Sequence, residues 1–444
     1  MENADNRHPS LFTESTTVTH ALRAIACLLA LTFAASSQAQ IGRQFPSERK
    51  LVKDPVTGTM LTFLTSKAHR DSKIYPTHPQ WTADGKWVVF RSAIANYEAM
   101  AVNEQTGQMV QITEGGYTGM LNLSSKSMKL YYMRGASPKP VQVIEVDLAR
   151  LFADVAAGKV QAADAYQRIC GTVPDQLEGG GDMALDGSDE SVYFRVGAAE
   201  AGRHLAPGTA VQPNFGPRGM GAGPGGIARM NLKTGLTNHV VSVPFQVGHI
   251  QANPWKPGEI VFSWETGGKS PQRTWTVQAD GSGLRPLYPE ADYEWVTHEA
   301  IIGKDEVAMA LVGHRTGAKK DSDWGPAGTR EKPTGLAIVN LRTREMSIVG
   351  QTASGSGMWH VHGSADGRFA VGDDFNRNLW LIDRRSHEMI LLTTGHKTTA
   401  GDHPHPTFSA DGTRVEIQSA MISADERTMN ICIVPVPEAW LKRP

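Results

Sequence analysis

Histidines are the residues in this sequence whose type and spacing indicate chemistry. Seven similar segments align on an apolar strand, and five of them carry a histidine at or beside one position. These are His78, His298, His360 and His405 at the position itself and His249 one residue earlier. The other two segments carry Met120 and Asp182 there. With 15 histidines in 444 residues, chance predicts fewer than one in such a set, so we expect these side chains to serve a common site.

His403 and His405 form an H-x-H pair between prolines. In an extended segment, residues i and i+2 face the same way, so both imidazoles point to one place. His298 would complete a three-histidine site with positions left open for water or substrate, as a catalytic metal requires. We therefore predict a divalent metal on His298, His403 and His405. Manganese, zinc, nickel and iron all suit such ligands.

The elements that must position these histidines come from the repeat. Each unit has a short inner segment, a polar turn and an apolar strand, followed by a second pair of strand-like runs. The clearest turns are the Asp-Gly pairs at residues 84–85, 366–367 and 411–412. Four strands per unit, repeated seven times, predict an all-β fold, a seven-bladed β-propeller with four-stranded blades. In that fold the histidine position lies at the mouth of the central channel.

The repeat also sets the domain organisation. Seven units spaced by roughly 54 residues occupy the chain from residue 40 to residue 444, which leaves one propeller domain. The segment 57–65 precedes the first unit and has no partner of its own. We predict that it pairs with the last blade near residues 430–434 and closes the ring.

The first 39 residues have the pattern of a signal peptide. The apolar run 24–35 is followed by small residues and a site ending at Ala39, and it is too short to span a bilayer. Later apolar runs are also too short, so we expect an exported protein without a membrane span, located in the periplasm. Cys170 and Cys432 remain after residue 39, too few for a disulfide framework or a cysteine metal site.

Composition excludes some partners and fits the repeat. With 44 Lys+Arg and 45 Asp+Glu, the net charge is −1, so no overall basic field attracts nucleic acid. The 45 glycines and 25 prolines suit many short strands joined by turns. Two polar insertions, 206–226 and 314–333, are predicted to join the second and third strands of their blades.

Several of these motifs together resemble one enzyme family. They are Gly248-His249, Thr-His298-Glu, His403-Pro-His405-Pro-Thr-Phe and Arg273-x-Trp275-x-Val-x-x-Asp280-Gly281-Ser. The combination is similar to the oligogalacturonate lyases of polysaccharide lyase family 22, and the likeness runs with gaps from about residue 54 to residue 440. The resemblance implies a seven-bladed propeller with a divalent metal, usually manganese, on three histidines and a glutamine, and a separate histidine as base.

Carried over by motif, the resemblance assigns the metal to His298, His403 and His405 and the role of base to His249. Two departures stand out. The family's glutamine falls at Ala400, so water, Asp402 or His360 would have to take its place. The family's catalytic arginine has no clear counterpart, and Arg218 and Arg229 are only nearby.

The resemblance implies β-elimination at a uronate-containing oligosaccharide derived from pectin. A metal would neutralise the uronate carboxylate, and neutral His249 would remove the C5 proton. We predict Arg273, His78, Arg70 and His360 as substrate-binding residues, with Arg273 binding a second carboxylate. Two alternatives stay open: a lyase for a different uronate glycan, and a non-catalytic, protein-binding propeller of the periplasmic TolB type.

Overall fold

Seven antiparallel β-sheets make up the protein, confirming the predicted all-β, seven-bladed propeller. The structure, a computed structural model, describes residues 40–135, 140–214, 220–266, 270–291, 294–312, 334–352 and 358–443. The predicted signal peptide lies outside these residues and stays a prediction. In each blade the strands follow one another from the inner to the outer edge, and inner strands of neighbouring blades contact each other.

Three strands precede the first inner strand: β1 (Gln44–Phe45), β2 (Lys50–Lys53) and β3 (Met60–Phe63). Blade 1 contains β4 (Ser72–Lys73), β5 (Trp87–Arg91), β6 (Ala99–Asn103) and β7 (Met109–Gln111). Blade 2 contains β8 (Thr118–Leu123), β9 (Lys129–Arg134), β10 (Gln142–Asp147) and β11 (Gln167–Thr172). Blade 3 contains β12 (Met183–Leu185), β13 (Ser191–Val196), β14 (Ala222–Asn231) and β15 (Thr237–Phe245).

Blade 4 contains β16 (Val247–Ala252), β17 (Glu259–Trp264), β18 (Thr274–Gln278) and β19 (Arg285–Pro286). Blade 5 contains β20 (Trp295–Gly303), β21 (Glu306–Val312), β22 (Thr334–Asn340) and β23 (Met346–Gly350). Blade 6 contains β24 (Val361–Gly363), β25 (Phe369–Asp373), β26 (Leu379–Asp383) and β27 (Met389–Thr393). Blade 7 contains β28 (Thr407–Phe408), β29 (Arg414–Ser419) and β30 (Asn430–Pro435).

Helices are short and lie between strands or at the end of the chain. They are α1 (Leu148–Ala157), α2 (Ala198–Arg203) and α3 (Glu438–Leu441), with 3₁₀ turns at Ala93–Ala95, Ala163–Ala165 and Asp175–Leu177. No helix in the described residues is long and apolar enough to cross a membrane. The insertion 206–226 joins β13 to β14 as predicted, and 314–333 falls between β21 and β22 but lies outside the described residues.

The Asp-Gly turns of the repeat join inner strands to second strands. In blade 1 the Asp84 carboxylate accepts hydrogen bonds from the Thr82 hydroxyl and the Lys86 amide, and Gly85 takes the left-handed conformation with φ 67°. Blade 7 repeats the arrangement with Ser409, Asp411 and Gly412. A carboxylate that bonds backbone two residues on, followed by a residue free to adopt positive φ, fixes a tight turn, which is why the repeat was visible in sequence.

The core lies between blades. Val89 of blade 1 and Leu121 and Tyr132 of blade 2, for example, belong to one buried cluster. The middle residues of the second strands are buried on both faces, so the centre of each strand is an apolar run that sets the spacing of the repeat.

An N-terminal strand completes the last blade. β3 pairs antiparallel with β30, Thr62 opposite Ile433 and Phe63 opposite Cys432, and β2 adds a fifth strand. This is the strand pairing predicted for segment 57–65. That the pairing closes the ring stays a prediction.

Candidate active site

Three of the predicted histidines occupy the same kind of backbone irregularity. His249, His298 and His405 have left-handed backbones, with φ of 49°, 53° and 53°. The pairing of β16 with β17 and of β20 with β21 shifts register at His249 and at His298. In blade 7, Pro404 and Thr407 pair with Gln418 and Glu416, which leaves the same extra residue at His405. A β-bulge re-aims a side chain, so the three imidazoles are presented from equivalent positions.

This geometry corrects the sequence alignment. His249 lies at the structural position of His298 and His405, and not one residue before it. His360 precedes β24 without such a shift, since its carbonyl accepts from the Asp373 amide in regular antiparallel register.

His360 lies at the centre of a cluster of four histidines. Its ring centroid is 3.8 Å from that of His405, 4.1 Å from that of His298 and 5.3 Å from that of His403. His360 and His405 are buried. The structure thus brings the three predicted metal ligands together around His360, which the sequence had offered both as a substrate-binding residue and as a replacement for the family's glutamine.

Asp373, which the sequence analysis missed, anchors this cluster. Its carboxylate accepts a 2.6 Å hydrogen bond from the His360 backbone amide and lies 2.9 Å from His403 Nδ1. His360, Asp373 and His403 offer ligand atoms that all lie within 4.8 Å of one another, as a metal site requires. A carboxylate at the end of β25, whose residues are all buried, was the available signal.

Burial keeps the cluster neutral. Desolvation lowers the pKa of His298, His360 and His405 well below the usual value, and for His298 and His405 the neighbouring His360 adds to the effect. The His298 Nδ1–H donates to the Trp359 carbonyl at 2.7 Å, which leaves Nε2 with its lone pair. Neutral imidazole is the form that binds metals.

The donor set therefore fits a divalent metal. Imidazole nitrogens oriented by a buried carboxylate are a common metal-site arrangement. Ala400, at the position of the family's glutamine, offers no ligand atom, whereas His360 does. A glutamine is nevertheless present, because the Gln418 side chain from β29 lies 3.3 Å from His405 Nδ1 and 2.9 Å from the His403 carbonyl.

His249 belongs to a second, carboxylate-rich group. Its Nε2 lies 3.1 Å from Glu265, and Glu265 also pairs with Arg273 at 3.1 Å. Burial lowers the pKa of His249, but the hydrogen bond to Glu265 and the charge of Glu299 outweigh it and leave that pKa raised. The Glu265 carboxylate fixes the proton on Nε2, so Nδ1 is the nitrogen able to accept a proton.

Arg273 is held by protein carboxylates. Its guanidinium is 3% exposed and pairs with Glu265 and Glu299, each at 3.1 Å. Burial alone would lower the pKa of Arg273, but the negative charges of Glu299 and Glu265 outweigh burial and raise it. The structure gives Arg273 a role in fixing Glu265, and a role in binding substrate stays a prediction.

The remaining predicted substrate residues are spread out. His78 is buried, and its Nε2 and Nδ1 already bond the Met183 carbonyl at 2.8 Å and the Thr77 hydroxyl at 2.7 Å. Arg70 is exposed and has a left-handed backbone with φ 55°. Arg229 donates to Ser191 within blade 3, and Arg218 lies outside the described residues.

Tyr75 connects the two groups and was also missed. Its ring lies edge-on to His249 at 5.4 Å and to His405 at 5.3 Å between centroids. The neutral cluster and the carboxylate-held histidine are therefore one aromatic ring apart. Tyr75 and His249 also line a cavity of about 250 Å³.

Comparisons with solved structures find the same architecture. An oligogalacturonate lyase in complex with manganese shares 19% sequence identity, covers 91% of this chain and 100% of its own, and superposes with a TM-score of 0.71. An oligogalacturonate lyase from Vibrio parahaemolyticus shares 20% sequence identity, covers 90% of this chain and 100% of its own, and superposes with a TM-score of 0.69. The fold is that of the oligogalacturonate lyases. The WD40 repeats of RRP9, with 10% identity, 87% and 100% coverage and a TM-score of 0.50, are less similar.

At the level of sequence the comparisons find less. No protein-family model and no curated protein matches the chain. The family resemblance read from the motifs is thus supported by the fold, while activity and substrate rest on the site itself.

Proposed function

We propose that this protein is a metal-dependent lyase that cleaves oligogalacturonate by β-elimination. One observation carries the proposal: a cluster of four histidines, in three of which burial lowers the pKa, lies one tyrosine ring away from a histidine that a carboxylate orients as a base. A uronate needs both features, because its C5 proton is only weakly acidic until the adjacent carboxylate is neutralised. The manganese complex of a structurally similar lyase supports the choice of reaction and metal.

His298, His360, His403 and His405 would hold the metal, with Asp373 orienting His360 and His403. When bound, a divalent metal supplies a Lewis acid for the substrate carboxylate. We propose manganese, and the same imidazoles suit zinc, nickel or iron. Burial keeps His298, His360 and His405 neutral, which leaves their lone pairs available for binding.

His249 would remove the C5 proton through Nδ1. The C5–H electron pair then forms the C4–C5 double bond as the C4–O bond breaks, and the leaving oxygen takes a proton. Glu265 holds the Nε2–H throughout, and its charge, with that of Glu299, stabilises the imidazolium that forms. Arg273 keeps Glu265 in place from the opposite side.

A lyase for a different uronate glycan is the second candidate. It is favoured by the change at the family's glutamine position, where this chain has Ala400 and places His360 at the centre of the cluster. A different ligand arrangement would alter how the substrate carboxylate is received.

The experiment is a substrate panel. Protein spanning residues 40–444, loaded with Mn²⁺, is incubated with oligomers of galacturonate, mannuronate, guluronate and glucuronate, and the ultraviolet absorbance of the unsaturated product is followed. We expect product from 4-linked galacturonate, loss of it with a chelator, and recovery on adding Mn²⁺. Product from another uronate alone would establish the second candidate, and no product from any uronate would overturn the proposal.

A further inference from the structure

The cavity beside His249 has a chemistry that the proposed reaction does not use. Its volume is about 250 Å³, and its walls come from blades 1 to 4. The lining includes Tyr75, His78, Arg91, Met120, Asp182 and His249. Since His249 forms one wall, a sugar with its C5 at His249 has this cavity as its neighbour.

Arg91 is the lining group with donors to spare. It ends β5 and is exposed, and its side chain makes no hydrogen bond or ion pair with any described residue. Two other polar lining groups are engaged: both ring nitrogens of His78 are hydrogen-bonded, and Asp182 accepts the His249 backbone amide at 3.1 Å. A planar guanidinium with free donors is suited to binding a carboxylate through two parallel hydrogen bonds.

The position of Arg91 in its blade shows where it faces. In blades 1, 6 and 7 the carbonyl of one second-strand residue accepts the turn hydrogen bond, and these residues are Trp87, Phe369 and Arg414. Four residues after these positions, the second strands of the three blades carry Arg91, Asp373 and Gln418. Asp373 and Gln418 both contact the histidine cluster. Arg91 therefore occupies the site-facing position of its blade and places a positive charge where blade 6 places a negative one.

The cavity is sized for one sugar ring. Pockets for drug-sized ligands measure roughly 300–1,000 Å³, and this one lies below that range. Its lining mixes apolar surface from Met120 with the aromatic edge of Tyr75 and one free cation, which matches a ring that carries a single carboxylate.

We propose that this cavity is a subsite for the acidic sugar next to the one that is cleaved, and that Arg91 binds its carboxylate. The inference rests on the proposed function, because it assumes that the substrate is an oligouronate. It makes Arg91 a specificity-determining residue: the protein recognises two consecutive acidic sugars, one through the histidine cluster and one through Arg91.

Steady-state kinetics test the role of Arg91. Arg91→Gln is expected to raise KM for oligogalacturonate by about tenfold or more with kcat largely kept, because a charged hydrogen bond is lost from binding alone. Arg134→Gln is the matched control, since Arg134 ends β9 in the next blade, bonds Gln142 and does not line the cavity. An oligomer methyl-esterified on the neighbouring sugar should be a poor substrate for the wild type and lose that disadvantage in Arg91→Gln. Unchanged KM in Arg91→Gln would overturn the inference.

A binding measurement separates this inference from the proposed activity. Calorimetric titration of chelator-treated protein with digalacturonate should show binding that Arg91→Gln weakens and Arg134→Gln does not. If the wild type cleaves no uronate yet binds digalacturonate through Arg91, the subsite stands and the lyase proposal falls. If inorganic phosphate binds as tightly as digalacturonate, Arg91 is a general anion site and the inference is overturned.

Discussion

Histidines in this site differ in the direction in which their surroundings shift the pKa. In the cluster, burial lowers the pKa of His298, His360 and His405, and the imidazoles stay neutral. At His249 the same burial is outweighed by Glu265 and Glu299, so the pKa is raised. One set of residues is thereby suited to bind a cation and the other to accept a proton.

The role of Glu265 predicts a shift in pH dependence. Activity needs His249 with Nδ1 unprotonated, so kcat/KM should rise with pH through the raised pKa of His249. Glu265→Gln removes the main group that raises this pKa, and the acid limb of the kcat/KM profile should move to lower pH. Glu265→Gln should also lower the plateau of kcat/KM at high pH, because the His249 ring loses the carboxylate that orients it.

The control for this profile is Glu306→Gln, which removes a carboxylate paired with Arg384 at the start of β21. Its profile should match that of the wild type. An acid limb that stays in place in Glu265→Gln would show that His249 is not the titrating base.

Asp373 predicts a loss of metal binding. Asp373→Asn should weaken Mn²⁺ affinity by about 10–100-fold, because the carboxylate that orients His360 and His403 becomes an amide. Metal titration monitored by calorimetry gives the affinity directly, independent of turnover.

Asp374→Asn serves as the neighbouring control. Its carboxylate bonds Asn378 and Trp380 and none of the four cluster histidines, so metal affinity should be unchanged. Equal losses in the two variants would show that Asp373 acts only through the fold of β25.

Sequence identified the histidines of the site better than their partners. The repeat places His78, His298, His360 and His405 at one position and His249 one residue earlier, so the convergence of His298, His360 and His405 was predictable. Asp373, Glu265 and Tyr75 were missed because each acts across blades or from a second strand, where sequence separation says nothing about distance.

At the level of the element, bulged inner strands present three of the candidate histidines. His249, His298 and His405 each take positive φ at the extra residue of a bulge, which re-aims the side chain. Strand number and turn position were predictable from Asp-Gly spacing. The bulges were not, because a non-glycine residue at positive φ is set by tertiary contacts and not by its own preference.

A buried ion pair links the inner strand of blade 1 to blade 7. Lys73 and Glu416 have no exposed side-chain surface, and their charged groups are 3.9 Å apart. Burial lowers the pKa of Lys73 to about 8 and raises that of Glu416 to about 8. Lys73 also donates to Thr407 at 2.8 Å.

Removing one partner should destabilise the protein in a pH-dependent way. Lys73→Met should lower the free energy of unfolding by up to about 3–5 kcal/mol at pH 8, because the Glu416 carboxylate is then left buried without its cation. The folded-state pKa of Glu416 is raised above its unfolded value, so stability falls as pH rises between these values, and the loss should be smaller at pH 5.

Denaturant unfolding at the two pH values measures this, with Lys73→Met/Glu416→Gln as the matched variant. The double variant should recover most of the loss, since no buried charge remains. A loss independent of pH, or a double variant as unstable as the single one, would contradict this interpretation.

At the scale of the whole molecule, the site draws on four consecutive blades. His249 lies in blade 4 and His298 in blade 5. His360 directly precedes β24 and Asp373 ends β25, both in blade 6. His403 and His405 lie in the segment before β28 of blade 7. The site therefore depends on the ring holding its blades in place. The N-terminal strand β3, which completes blade 7, is the element most directly responsible if it closes the ring.

Ring closure predicts a global effect from a single strand. Leu61 in β3 is fully buried against blades 6 and 7, so Leu61→Ala should cost about 2–5 kcal/mol and lower the melting temperature in one cooperative transition. Leu51→Ala, in the exposed β2, should change stability by no more than about 0.5 kcal/mol. Separate melting of a subset of blades, seen by calorimetry, would contradict closure through β3.

The central claim is that His249 and the histidine cluster together carry out elimination on a uronate. It is tested most directly by the ultraviolet absorbance of unsaturated product from oligogalacturonate, with Mn²⁺-loaded wild type, His249→Ala and His403→Ala compared at equal concentration. The account predicts product from the wild type and none above background from either variant. Product formed at wild-type rates by both variants would contradict it.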